Sequence, residues 1–171
     1  MNVRRVVTGH DASGKSVFVS DEVVSATPVM GLHRLWGGDT TPQFPDDGTM
    51  PEHRTYFPPI GGFRFGMFTI PPKAVAGSEI DPAETETEAP GLLRYMDPSD
   101  PGMHTTDTID FEVVLEGTVI LELDDGAEVV LNPGDTVVQN GTRHRWRNGG
   151  DTTARLAVFM CGASHSAVPA G

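Results

Sequence analysis

Cysteine is nearly missing from this sequence. Cys161 stands alone, which excludes an internal disulfide and any thiolate metal cage. It ends an apolar run, where a single thiol reads as a structural group rather than a nucleophile, and its solitude fits a reducing cytosol. Basic side chains are scarce too, with 12 Lys and Arg against 24 Asp and Glu for a formal charge of -12. A field of that sign repels phosphate backbones and anionic lipid, so neither nucleic acid nor a membrane is expected as a partner. Long hydrophobic runs are absent. MNVRRVVTGHDASGK turns polar after two valines, too early for a secretory signal, and no stretch approaches the roughly 20 apolar residues of a membrane span. A cytoplasmic protein is the expectation.

What is present points to strands. The chain has 171 residues, enough for one core, and holds 20 Gly and 14 Pro, which favour short strands and tight turns over long helices. VRRVVTGH and KSVFVSD flank the turn DASG. GLHRLW precedes the loop GGDTTPQFPDDGTMPEH, expected at the surface. In GGFRFGMFTIPPK, Phe63, Phe65 and Met67 would share one strand face and Arg64, Gly66 and Phe68 the other. From Ala74 to Asp100 the chain turns acidic and Pro-rich, expected as a loop or lid with a helical turn around Leu92 to Tyr95. A plain disordered insertion is the alternative. Six strand-length runs follow (DFEVVLEG, TVILEL, AEVVL, DTVVQ, HRWRN and ARLAVFM), separated by Gly- and Asn-bearing turns. Such spacing predicts an all-β domain, closed or sandwiched, with Val119, Leu121, Leu123, Leu156, Val158 and Met160 in its core. Residues 1–27 read as N-terminal strands and a possible dimer arm, 28–162 as the barrel, and 163–171 as a tail.

Chemistry concentrates in the second half. His104, Thr106 and Asp110 are separated by even numbers, so an unbroken strand sends all three side chains to one face. His144 opens a later strand that a barrel can set opposite. Two imidazoles and a carboxylate would then hold one divalent metal (Fe, Mn, Ni or Zn) and leave positions open for substrate, as a catalytic centre requires. Glu112 shares the face of Asp110 and is a candidate acid or base, as is Asp107. Trp146 and Asn148 share the face of His144, and Arg64 is a candidate clamp for a substrate carboxylate, so these three and Thr106 are the expected pocket.

MHTTDTIDFEVVLEG followed by NPGDTVVQNGTRHRWRN resembles the two signature motifs of the cupin superfamily, over about residues 102–161. On that match His104 takes the first His position, Asp110 the Glu position, Gly117 the closing Gly, His144 the last His and Asn148 the final Asn. The resemblance implies a single-domain jelly-roll β-barrel with N-terminal strands and an acidic insertion, a metal in its mouth, and frequent homodimers. It departs at two points. Thr106 stands where the family has a second His, and Asp110 is shorter than Glu, so either the site is leaner than usual or a neighbour such as Asp107 or Glu112 completes it. The function that follows is a metal-dependent enzyme on a small oxygenated molecule, a lyase, dehydratase or isomerase holding an enolate. Alternatives are a non-haem Fe(II) dioxygenase and a non-catalytic small-molecule-binding cupin.

Overall fold

The computed structural model describes residues 2–72 and 81–166. Ten strands and little helix make up the described chain. Two of the strands, β1 (Val3–His10) and β2 (Ser16–Val24), form a separate hairpin. At its turn the Asp11 carboxylate accepts from the backbone N–H groups of Ser13 and Lys15 at 2.8 and 3.0 Å, the Asx-type bonding that makes DASG a turn.

The body consists of two sheets. A five-stranded sheet runs in the order β3 (His33–Gly38), β4 (Phe63–Ile70), β10 (Ala154–Gly162), β5 (Thr108–Glu116), β8 (Thr136–Asn140). A three-stranded sheet runs β7 (Glu128–Leu131), β6 (Val119–Glu122), β9 (Arg145–Asn148). Among the described residues the two do not close into one hydrogen-bonded barrel. They are joined by packing, as where Phe68 of β4 meets Trp146 of β9 at 6.3 Å between ring centroids. Asn148 Nδ2 also donates to the Ile70 carbonyl at 2.7 Å.

Alternation explains which side chains meet. Val114, Val119, Leu121, Leu131, Ala154 and Leu156 form one buried cluster, and Phe57, Val158 and Met160 a second. Leu123 corrects the sequence expectation: it is 37 % exposed. The strand carrying Leu121 ends at Glu122, so the two-residue period stops one position before Leu123, which leads into the 3-10 turn Asp124–Gly126.

The acidic segment is not a plain loop. Residues 73–80 lie outside the described chain, but Pro82–Glu88 forms a helix, α1, and Leu93–Tyr95 a 3-10 turn where a helical turn was expected. The cause of α1 is local. The Asp81 carboxylate accepts from Ala83 N at 2.8 Å as N-cap, proline follows in the first turn, and Glu84 complements the positive helix end. Glu88 then accepts from Val29 N and Met30 N at 2.9 and 2.8 Å, tying the helix to the segment before β3.

The turn after β5 depends on Gly117. Its φ is +73°, and a Cβ there would lie 2.7 Å from the Ala154 Cα. Gly117→Ala is therefore expected to cost about 2–4 kcal/mol from strain and overpacking, read as a drop in Tm of roughly 5–15 °C by calorimetry.

Candidate active site

Directly opposed residues on neighbouring strands share a sheet face, so the register writes out the inner face of the large sheet. One row runs Gln139, Asp110, Met160, Arg64, Gly37 across β8, β5, β10, β4 and β3. The next runs Val137, Glu112, Val158, Gly66, Arg34. Two carboxyls and two guanidiniums therefore lie on one wall, with apolar Met160 and Val158 between them. Asp110 and Glu112 are buried, at 4 and 6 % exposure. Asp110 Oδ1 and Glu112 Oε2 are buried atoms without a hydrogen-bond partner, an arrangement that costs free energy unless something else satisfies it. Burial pushes the Asp110 carboxyl up to about 6, against an opposing hydroxyl bond from Thr108. Burial, then the neighbouring Asp110, pushes Glu112 up to about 8.

The two histidines meet. His104 and His144 form an isolated antiparallel bridge, each backbone N–H donating to the other's carbonyl at 2.9 Å, and their ring centroids are 4.1 Å apart. Each Nδ1 lies near the carbonyl two residues back, Gly102 O at 3.1 Å and Thr142 O at 2.8 Å. That contact places the proton on Nδ1 and leaves the Nε2 lone pair available. Burial, then the proximity of His104, lowers the His144 imidazole to about 4, and burial lowers His104 as well.

The third donor does not join them. Among the described residues no group of three His, Cys, Asp or Glu side chains is gathered closely enough to hold a metal ion. His104 and His144 offer two donors where a catalytic metal site uses about three, so the expected set His104, Asp110, His144 is not assembled. The reason is that the chain between them is not one strand. His104 makes an isolated bridge with His144, the chain bends at Asp107, and β5 begins only at Thr108, so even spacing does not bring Asp110 to the imidazoles. Thr106, in the second-His position, is fully buried and accepts from the Thr108 hydroxyl at 2.8 Å.

The remaining candidates divide. Asp107, at the bend before β5 begins, lines a different cleft, with Thr55, Arg94, Tyr95 and His165. Arg64 is buried on the inner face, but its five N–H donors are committed. They reach the carbonyls of Thr55 (twice), Gly38 and Phe63 and the Asp39 carboxylate at 2.6 to 3.2 Å, leaving none for a substrate. Asn148 spends its amide on Ile70 O, Thr152 O and Gly150 N, and Trp146 packs into the core cluster. The arginines alternating with the His144 face sit in surface ion pairs: Arg143 with Asp97, Asp100 and Asp124, Arg145 with Asp100 and Glu122. Cys161 is a half-buried free thiol.

A small cleft beside the pair is lined by residues with no marked role in the sequence. Arg34, His53 and Tyr56 meet there with Arg64, Met160 and Val158. Burial and the charges of Asp110 and Glu112 push the Tyr56 phenol up to about 12, with Arg34 opposing. Tyr56 therefore stays neutral and faces the carboxyl pair electrostatically. The only sequence cue to Arg34 was a charge inside the otherwise apolar run GLHRLW.

Comparison with known proteins follows the same lines. A family model described as Cupin domain matches residues 94–160. The chain is 33 % identical over 161 residues to Phomopsin biosynthesis cluster protein C' of Diaporthe leptostromiformis, covering 91 % of this chain and 76 % of that protein. It is 30 % identical over 151 residues to the cupin-domain-containing oxidoreductase fogC of Aspergillus ruber, covering 85 % of this chain and 64 % of the relative. In structure it resembles the Schizosaccharomyces pombe Cnp3 cupin domain, with a TM-score of 0.51 and 10 % identity over 93 % of this chain and 87 % of that one, a likeness of fold alone. The fold is thus a two-sheet β-sandwich with a polar inner wall, and the chain belongs to the cupin superfamily. No helix among the described residues is long and apolar enough to cross a membrane.

The histidine pair has a consequence for stability. An imidazole lowered from 6.5 to about 4 in the fold binds fewer protons there than in the unfolded chain, so its contribution is complete above 6.5 and is lost as pH falls toward 4. Tm measured across that window should fall in the native protein, by an amount on the order of 3 kcal/mol from His144 alone. His144→Gln should flatten the slope.

Proposed function

We propose that this chain is a cupin enzyme that moves a proton on a small oxygenated organic molecule, in an isomerase, lyase or dehydratase reaction, with Asp110 and Glu112 as the working pair. One observation carries the reading: two buried carboxyls two residues apart on one inner strand face, each with an oxygen that no donor satisfies. Environments that push two acids apart assign them opposite roles. With Asp110 near 6 and Glu112 near 8, neutral pH leaves the first largely ionised and the second largely protonated. Asp110 then takes a proton from the carbon beside a carbonyl, the C–H electron pair becomes the enol double bond, and the carbonyl oxygen takes the proton of Glu112. Return of the Asp110 proton to a different carbon, with the enol O–H proton going back to Glu112 as the carbonyl re-forms, completes an isomerisation. Departure of a hydroxyl on the next carbon as water, carrying the Asp110 proton while the enol O–H proton returns to Glu112, completes a dehydration. A metal held by His104 and His144 needs a further donor, and no step here runs through one.

A second reading, an oxidation in the same cleft, is favoured by the relatives described as cupin-domain-containing oxidoreductases. Incubation in deuterium oxide with a panel of small 2-oxo and 1,3-dicarbonyl compounds separates the two. Deuterium entering the carbon beside the carbonyl, without oxygen consumption, supports the proton reaction. Oxygen uptake without deuterium exchange removes it.

A further inference from the structure

The inner wall holds a second cation besides Arg64, and its situation is the reverse. Arg34 lies on β3 opposite Gly66, so no side chain from the neighbouring strand stands over it. Its guanidinium is half-buried, yet none of the hydrogen bonds or ion pairs among the described residues involves it. Arg64, one row away, has Asp39 as its carboxylate. Arg64 repels it and the neutral Tyr56 faces it, His53 lies beside it, and Glu52 and Arg54 share its surface cleft without an ion pair to it. In a chain with twice as many acidic as basic residues, a half-buried arginine without an acidic partner goes against composition, and its desolvation is uncompensated.

Its position matters equally. Arg34 and His53 line both the inner cleft and an open surface cleft formed by Met50, Pro51, Glu52 and Arg54. They therefore stand where the two meet, between solvent and Tyr56, which in turn feels the charges of Asp110 and Glu112. The Tyr56 hydroxyl makes no hydrogen bond among the described residues either. A planar fork of N–H donors beside a neutral O–H is the donor set that a carboxylate accepts.

We infer that Arg34, with the Tyr56 hydroxyl, forms a carboxylate-binding subsite at the mouth of the inner cleft, and that the substrate is an organic acid whose anionic end rests there while its reacting carbon reaches Asp110 and Glu112. The second half of that statement rests on the proton-transfer reading. The subsite itself does not, because it is tested by binding alone. Arg34 replaces Arg64 as the anion-recognising residue, because Arg34, unlike Arg64, has donors left to give.

The test is a titration of the full chain near neutral pH with benzoate and, separately, with its uncharged counterpart benzamide. Binding is followed by the fluorescence of Trp36, which lines the cleft, and by the guanidinium 15N resonance of Arg34. Benzoate should saturate with a shift of the Arg34 signal, and benzamide should bind at least roughly tenfold more weakly. Arg34→Gln should weaken benzoate by a similar factor and leave benzamide alone, while Arg34→Lys retains part of the affinity. Melting curves confirm that both variants fold, and Tyr56→Phe, which keeps the ring packing, should weaken benzoate by a smaller factor. Equal affinity for benzoate and benzamide, unchanged benzoate binding in Arg34→Gln, or no saturation by benzoate, acetate or malonate overturns the subsite. Deuterium exchange is scored on the same samples. Exchange without Arg34-dependent binding sinks the subsite alone, and Arg34-dependent binding without exchange sinks the proton chemistry alone.

Discussion

Glu112→Gln should lower turnover by about 10²–10⁴-fold and, in the same protein, raise Tm at alkaline pH. Both effects come from one fact. The fold holds this carboxyl neutral, raising it from 4.5 to about 8, so the folded chain binds more protons than the unfolded one between those values. The sign of the linkage is then fixed. The neutral acid is tolerated without penalty below 4.5, and stability is lost as pH rises through 8, where the buried group ionises. A glutamine of the same shape never ionises, so its advantage over the native residue should grow from nothing near pH 4.5 to on the order of 5 kcal/mol above pH 8. A purely structural glutamate would show the stability gain and no loss of turnover. Asp110→Asn supplies the companion result. The native rate should be bell-shaped, with limbs near 6 and 8. The asparagine variant should lose its activity across the whole profile. A rate independent of pH between those limbs and beyond them would end the assignment of Asp110 and Glu112 as base and acid.

Arg64→Met should be the most destabilising single change on the inner wall, at about 3–5 kcal/mol, or roughly 6–20 °C in Tm by thermal melting. The methionine fills much of the same volume, so the loss is not a cavity effect. Removal of the guanidinium strands the Asp39 carboxylate and the carbonyls of Gly38, Thr55 and Phe63, which have Arg64 as a donor. Arg64→Lys should recover only part of the stability, because an ammonium has three donors for a site that uses five. A melting temperature within about 2 °C of the native value in Arg64→Met would show that these bonds contribute little.

These two residues also show what could be read from sequence and what could not. The strands were legible because their alternation and their Gly- and Asn-bearing turns agree, and Val119, Leu121, Leu156, Val158 and Met160 are buried as the period requires. The helix at Pro82–Glu88 carried its signal in Asp81, Pro82 and Glu84, but the acidic composition around it concealed a run of only seven residues. Parity placed Arg64 and Glu112 on the inner wall. It said nothing about whether Arg64 had donors to spare, since the carbonyls that consume them belong to Gly38 and Thr55 in distant segments. The histidines met because their backbones pair directly, whereas the aspartate was expected beside them from a parity that presumes one unbroken strand, and the chain bends at Asp107 before β5 begins. Arg34 and Tyr56 were invisible for a related reason, because a vacancy in a hydrogen-bond inventory exists only once the chain has folded.

The order of strands in the large sheet divides labour between its middle and its margin. Asp110 and Glu112 sit on β5, clasped on one side by β10 and on the other by β8, while Arg34 sits on β3, one of the two edge strands. A central strand cannot shift without breaking two ladders; a rim strand breaks one. Divergence among relatives can therefore reshape which molecules are admitted by altering the rim, while the interior that performs the reaction stays fixed.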